Sequence, residues 1–220
     1  VIMLKRKLFT ADHEQFRDTA RKFFEREIMP HHERWEEQGF VDRDAWLKAG
    51  ASGLLCMTMP EAYGGVGVDR LYSTVMIEEA ARVGASGPGF SLHSEIASPY
   101  INRMARGEVI GAIAMTEPGA GSDLQSIRTT AIRDGDHYLL NGSKTYITNG
   151  HNSDLVIVVC KTDPTKGAKG TSLLLVEADR PGFSKGKRLK KLGLKAQDTS
   201  ELFFDNVKVP AGNLLGREGE

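Results

Sequence analysis

The stretch Ile113-Ala114-Met115-Thr116-Glu117-Pro118-Gly119-Ala120-Gly121-Ser122 is where this chain changes character. Ile113 and Met115 alternate with small or polar neighbours, the period of a strand. Pro118 then ends the ladder because it has no N–H to give. Gly119 and Gly121 allow positive φ and the close approach of a flat or anionic ligand, while Ser122 and Asp123 add a hydroxyl and a carboxylate to the same turn. A strand that stops this way turns backbone N–H groups toward something other than sheet. Further along, Tyr146-Ile147-Thr148 places an aromatic plate and a hydroxyl on one face of a strand, where a planar heterocycle could stack and hydrogen-bond. The glycine spacing is neither GxGxxG nor the Walker pattern, so neither nucleotide motif is present. Taken singly, the glycines also read as an ordinary loop and Tyr146 as a half-buried strand aromatic.

Upstream of this stretch the pattern is helical. Thr10 can cap a helix in which Phe16, Ala20, Phe23, Phe24 and Ile28 recur at helical spacing until Pro30 stops it. Further helices are predicted over Asp42 to Ala49, Arg70 to Val83 and Ser91 to Arg103, with a glycine-rich loop at Pro60 to Gly67. Downstream, strands are predicted over Ile110 to Met115, Thr129 to Arg133, Tyr138 to Asn141, Thr145 to Thr148, Leu155 to Lys161, Ser172 to Glu177 and Leu202 to Val209. Turns are expected at Asp134-Gly135, Asn141-Gly142 and Asn149-Gly150. The fold class is therefore α+β: an all-helical N-terminal domain, residues 1–106, followed by an antiparallel β-barrel or sandwich domain, residues 107–220.

With 220 residues, 40% hydrophobic and 26% charged, the chain can bury a sizeable core. Its 29 basic and 29 acidic residues balance, which gives no general attraction to nucleic acid or to an anionic membrane. Cys56 and Cys160 lie far apart in unlike contexts, against a disulfide framework or zinc site and in keeping with a reducing compartment. No run reaches the ~20 apolar residues of a membrane span. Val1 to Phe9 lacks the apolar core of a secretion signal, and any transit peptide is expected to have been removed.

Three ordered motifs carry a resemblance: AMTEPGAGSD (Ala114 to Asp123), NGSKTYITNG (Asn141 to Gly150) and KKLGLKAQDTSELFFDNVKVP (Lys190 to Pro210). In these the chain resembles the acyl-CoA dehydrogenase family, FAD-dependent enzymes that desaturate fatty acyl thioesters, and is most like its long-chain branch. The resemblance implies FAD as cofactor. Ile113, Ala114, Met115, Thr116, Glu117, Pro118, Gly119, Ala120, Gly121 and Ser122 would line the isoalloxazine and its pyrimidine edge, with Thr116 as a hydrogen-bond partner. Tyr146, Ile147 and Thr148 would also bind it, Tyr146 packing on the flavin and Thr148 approaching N5. Ser122, Gly170 and Thr171 would touch the CoA part of the substrate.

The implied reaction removes the α-proton to a carboxylate and passes the β-hydrogen as hydride to the flavin, giving a trans-2-enoyl-CoA. Electrons would leave to an electron-transfer flavoprotein, in a homotetramer whose cofactor contacts cross between subunits. The compartment implied is bacterial cytoplasm or mitochondrial matrix. In the family the base is a glutamate of a C-terminal helical domain, so it is expected beyond residue 220 and no catalytic base is assigned within the chain. Glu117, at a strand end beside Pro118, reads as structural rather than as that base. The connection at Asn102 to Gly107 is shorter than the family's.

Gly87-Pro88-Gly89 before a helix could leave room for a medium-to-long acyl tail, or be a plain helix start. His31 and His32 are adjacent, about 100° apart on a helix, and do not make a chelating pair. The basic run Lys185, Lys187, Arg188, Lys190, Lys191 and Lys195 reads as a solvated face, with CoA phosphates or a flavoprotein partner as the alternative. Met57 and Met59 read as core or pocket lining. Rival readings are a flavin oxidase or monooxygenase on the same scaffold, and a noncatalytic acyl-CoA-binding module.

Overall fold

Thr10 caps the first helix, α1 (Ala11–Phe23), through a reciprocal box: its hydroxyl accepts from the His13 N–H, and the His13 ring accepts from the Thr10 N–H. Pro30 does not stop this helix as expected. The helix loosens into a π-helical turn over Phe24–Ile28, and Pro30 falls in the first turn of α2 (Met29–Gln38), where a missing N–H costs little. α3 (Arg43–Ala51) and α4 (Arg70–Arg82) stand where the spacing predicts them. Pro60 to Gly67 is loop, with a short 3₁₀ turn at Glu61–Tyr63. The computed structural model describes residues 8–94 and 100–219. Of the helix expected over Ser91 to Arg103, α5 (Phe90–Ser94) and α6 (Ile101–Ala105) are described, while residues 95–99 lie outside the described residues.

The chain divides into two units, Val1–Glu108 with Leu194–Ala196, and Val109–Gly193 with Gln197–Glu220. In the helical unit Phe24, Ile28, Trp35, Trp46 and Phe90 are buried, Trp46 meeting Phe90 edge-on at 4.9 Å. α1 and α4 are joined by a buried carboxylate. Glu79 is 2% exposed and receives Arg17 at 3.2 Å, Arg21 at 3.0 Å and Arg82 at 3.1 Å.

In the second unit the described strands are β1 (Gly111–Ala114), β2 (Thr130–Asp134), β3 (His137–Thr148), β4 (Leu155–Lys161), β5 (Thr171–Glu177), β6 (Phe183–Arg188), β7 (Thr199–Pro210) and β8 (Leu214–Leu215). They form a sheet ordered β6-β7-β3-β2-β4-β5-β8, with β1 on β4. The expected antiparallel barrel or sandwich needs correction, because the sheet is mixed and open. β1 runs parallel to β4, from Gly111 beside Leu155 to Ala114 beside Val158, and β2 meets β4 in parallel at Thr130 and Lys161. The cause is the route of the chain: after β1 it makes a loop and the β2–β3 hairpin, then re-enters β4 in the direction of β1.

Two further corrections concern local signals. Asn141-Gly142 is not a turn but a bulge inside the single long strand β3, where the pairing with β7 shifts register and Gly142 takes φ 145°. β6 was not expected, since Lys185 and Lys187 obscure its alternation. Ala112, Ala114, Tyr138, Leu140, Val156, Val158, Leu174, Val176 and Leu202 fill a shared core. β4 is buried along its whole length, and on its other face Ala120 and Ile127 of the loop after β1 cover Val159.

Candidate functional site

β1 turns its small residues inward. Ala112 and Ala114 lie in the core, whereas Ile113 is half-buried and Met115, just past the strand, is 37% exposed. Large apolar side chains thus stand on the outer side. Beyond Thr116 the chain makes a tight turn, Glu117-Pro118-Gly119-Ala120, closed by Ala120 N–H on Glu117 O at 3.1 Å and Glu117 N–H on Ala120 O at 2.9 Å. Ala120 is buried; Pro118, Gly119, Gly121 and Ser122 are exposed. Neither Gly119 nor Gly121 uses the positive φ that glycine allows. A Cβ at either would meet nothing within 4 Å among the described residues.

The second motif meets this turn at the end of β3. Thr145 N–H donates to Thr116 O at 2.9 Å, and the Thr116 hydroxyl donates to Thr145 O. A register shift between Lys144 and Ile147 buries Lys144 and Thr145 in succession and throws Tyr146 outward at φ 59°, 70% exposed. Ile147 returns to the core at 2% exposure, and Thr148 is half-buried. Tyr146 and Thr148 therefore lie on the side away from Ile147, which has only main-chain groups to offer a ligand.

Glu117 points inward. It is 8% exposed, with Oε1 accepting from Lys144 Nζ at 2.8 Å and from Thr129 N–H at 3.0 Å, and Oε2 from Arg128 N–H at 2.6 Å. Burial pushes its carboxyl up, but Lys144 and the backbone N–H donors outweigh burial and hold it below the usual glutamate value. A carboxylate engaged at both oxygens is not a free proton acceptor.

Ser122 is exposed on the loop after Ala120. Gly170 is buried where the 162–170 loop closes on itself: its carbonyl accepts from Thr162 N–H at 2.9 Å and Asp163 N–H at 3.2 Å, and a Cβ there would lie 1.8 Å from Asp163 O. Thr171 opens β5 opposite Lys161 and is half-buried.

Sequence reasoning missed Lys144, Asn149 and Asp198. Asn149, 1% exposed, donates from Nδ2 to Gly111 O at 3.2 Å. Asp198 is 3% exposed and accepts from His151 N–H at 2.7 Å and Asn152 N–H at 3.3 Å; burial raises its carboxyl in spite of those donors. Both fix the turn that follows Thr148. The available signal was an Asn-Gly pair beside a strand end and an acidic residue in the third motif, neither of which says what it binds.

In the helical unit an apolar pocket is lined by Phe24, Met57, Met76, Pro88 and Phe90, next to Gly89 in sequence. Among the described residues no cluster of His, Cys, Asp and Glu could hold a metal ion. No described helix is long and apolar enough to cross a membrane.

Known proteins match both units. The family model for the acyl-CoA dehydrogenase N-terminal domain matches residues 10–109, and that for the acyl-CoA dehydrogenase middle domain matches residues 112–207. The mitochondrial long-chain specific acyl-CoA dehydrogenase of Rattus norvegicus is 51% identical over 230 residues, covering 98% of this chain and 54% of that protein. That alignment is longer than the chain, so the rat protein carries residues absent here. An acyl-CoA dehydrogenase structure from Geobacillus kaustophilus superposes with TM-score 0.93 at 49% identity, over 98% of this chain and 60% of that one. A Bacillus anthracis acyl-CoA dehydrogenase complexed with FAD gives TM-score 0.88 at 32% identity, over 98% and 39%. The chain thus spans about half the length of the curated relatives it matches.

Proposed function

This chain belongs to the acyl-CoA dehydrogenase family, and on that premise we propose that the protein is an FAD-dependent enzyme that converts a fatty acyl-CoA to its trans-2-enoyl-CoA. One observation carries the cofactor reading. Gly119 and Gly121 are needed neither by backbone conformation nor by packing, and the turn that bears them follows Thr116, which is bonded to Thr145, the residue before the outward Tyr146. Side-chain-free positions in a segment tied to one that presents an exposed aromatic suit a flat ring system.

Residues 113–122 and 146–148 hold the cofactor on this reading. Tyr146 packs against the ring face, and Thr116 and Thr148 contribute hydroxyls, that of Thr116 oriented by its bond to Thr145 O. FAD, when bound, supplies the acceptor for the hydrogen leaving the substrate β-carbon. Ser122, Gly170 and Thr171 take the CoA portion. Glu117 is occupied with Lys144, Arg128 and Thr129 and so leaves the α-proton to another carboxylate, which we assign to the part of the protein that the longer relatives possess and this sequence does not cover. The helical unit's apolar pocket, flanked by Pro88 and Phe90, favours a medium-to-long acyl chain. Electron-transfer flavoprotein is the proposed electron acceptor and a homotetramer the proposed assembly.

The test is the visible spectrum of the protein from its complete gene, before and after anaerobic addition of a long-chain acyl-CoA. The flavin band should bleach. A band that persists through a series of acyl chain lengths would reject dehydrogenation, and a colourless protein that FAD does not restore would reject the cofactor.

A further inference from the structure

The irregularity in β3 does two things at once. In a regular strand residues 144, 146 and 148 would share a face. Here Lys144 is 0% exposed and Tyr146 is 70% exposed, because the register shift between Lys144 and Ile147 separates them. The displaced Lys144 side chain runs beneath the end of β1. Its Nζ donates to Met115 O at 2.8 Å and to Glu117 Oε1 at 2.8 Å. Glu117 in turn takes the N–H groups of Arg128 and Thr129. One ammonium and one carboxylate therefore grip the chain where it enters the 116–127 loop and where it leaves it. All of those bonds except their own are to main chain, and the segment they close bears Pro118 to Ser122.

Stability alone gives a weak reason for such a pair. A buried ion pair is often no better than well-packed apolar residues of the same volume, and its best-attested use is to fix one arrangement among several. On the reading given under the proposed function, we propose that Lys144 and Glu117 are positioning residues for the flavin-binding edge: they hold the Met115 carbonyl and the base of the 116–127 loop in place, and so set cofactor affinity and the environment of the bound ring. Neither side chain touches the cofactor. They act through the main chain of Met115 and through the bulge that also delivers Tyr146.

The test uses the full-length protein and three variants, with FAD dissociation constant, flavin absorption spectrum and apoprotein melting temperature as readouts. Lys144→Met/Glu117→Gln removes both charges together, so no lone ion is left buried, but it leaves Met115 O unheld. It should fold with a melting temperature near the parent's, bind FAD about tenfold more weakly, and show a shifted flavin spectrum. Glu117→Gln alone keeps Lys144 on Met115 O but strands its buried ammonium, so a lower melting temperature together with an affinity loss of about threefold is expected. Glu79→Gln, a buried ion-pair change in the helical unit, should lower melting temperature and leave FAD affinity unaltered. Parental affinity and spectrum in the double variant overturn the proposal. So does failure of both site variants to fold, which would assign the pair to the fold alone. Failure of the unaltered protein to bind FAD would instead reject the cofactor reading from which the proposal starts.

Discussion

Thr116 and Thr145 bond to each other in both directions: the Thr145 N–H donates to Thr116 O at 2.9 Å, and the Thr116 hydroxyl donates to Thr145 O. This exchange joins directly two segments whose contact residues lie 29 positions apart in the sequence. Thr116→Val keeps the shape and removes the hydroxyl, leaving a half-buried carbonyl short of a donor. Chemical denaturation should register a loss of about 1–2 kcal/mol, and FAD should dissociate faster.

The glycines divide into those that the fold needs and those it does not. Gly170→Ala places a Cβ 1.8 Å from the Asp163 carbonyl and should cost about 1–3 kcal/mol as the 162–170 loop is pushed apart. Gly119→Ala meets open space at an ordinary φ, so stability of the apoprotein should change by less than about 0.5 kcal/mol. Its effect should appear as weakened FAD binding. Equal damage to folding at both positions would contradict this division.

Asp42, just before α3, is held down to about 2 by the Arg34 guanidinium, with Gln38 Nε2 adding a bond at 2.9 Å. A carboxyl whose folded value lies below its unfolded 3.8 stabilises the fold above that value and loses the contribution as pH falls toward 2. Asp42→Asn should therefore melt lower than the parent at neutral pH, and the gap should narrow between about pH 4 and pH 2. A gap constant with pH would show that the charge is not what stabilises.

Glu79 is the buried centre of the α1–α4 contact. Removing it in Glu79→Ala leaves Arg17, Arg21 and Arg82 without their shared acceptor, although Arg17 keeps Glu78 at 2.8 Å and Arg21 keeps Asp18 at 3.3 Å. Since the arginines are partly exposed and can turn to water, the expected loss is about 2 kcal/mol rather than the full cost of a stranded buried charge. Denaturant unfolding followed by helical circular dichroism measures it.

Much of the fold could be read in advance, for identifiable reasons. α1, α3 and α4 follow apolar residues at helical spacing, and β4 is an apolar run up to its last residue, Lys161. Pro30 misled because a π-helical turn ahead of it lets the chain stay helical. Asn141-Gly142 misled because a bulge in a long strand wants the same residues as a hairpin turn. The parallel pairing of β1 with β4 depends on residues more than 40 positions apart, and no local signal carries it.

The candidate site was legible in part. Proline, glycines and an aromatic mark residues 113–122 and 146–148 through local composition alone. Lys144 was not, since a lysine in an alternating strand reads as solvated. It becomes an internal group when the bulge turns it beneath Met115.

The most direct measurement is an equilibrium FAD titration of full-length Tyr146→Ala apoprotein beside the parent. With its side chain mostly in solvent, Tyr146 contributes little to the fold, so the two apoproteins should melt together. Loss of a stacking partner of about 1–1.5 kcal/mol, together with the area it covers, should weaken FAD binding by about tenfold or more. Unchanged affinity in a variant that melts with the parent would contradict the assignment of Tyr146 as a packing partner of the flavin ring.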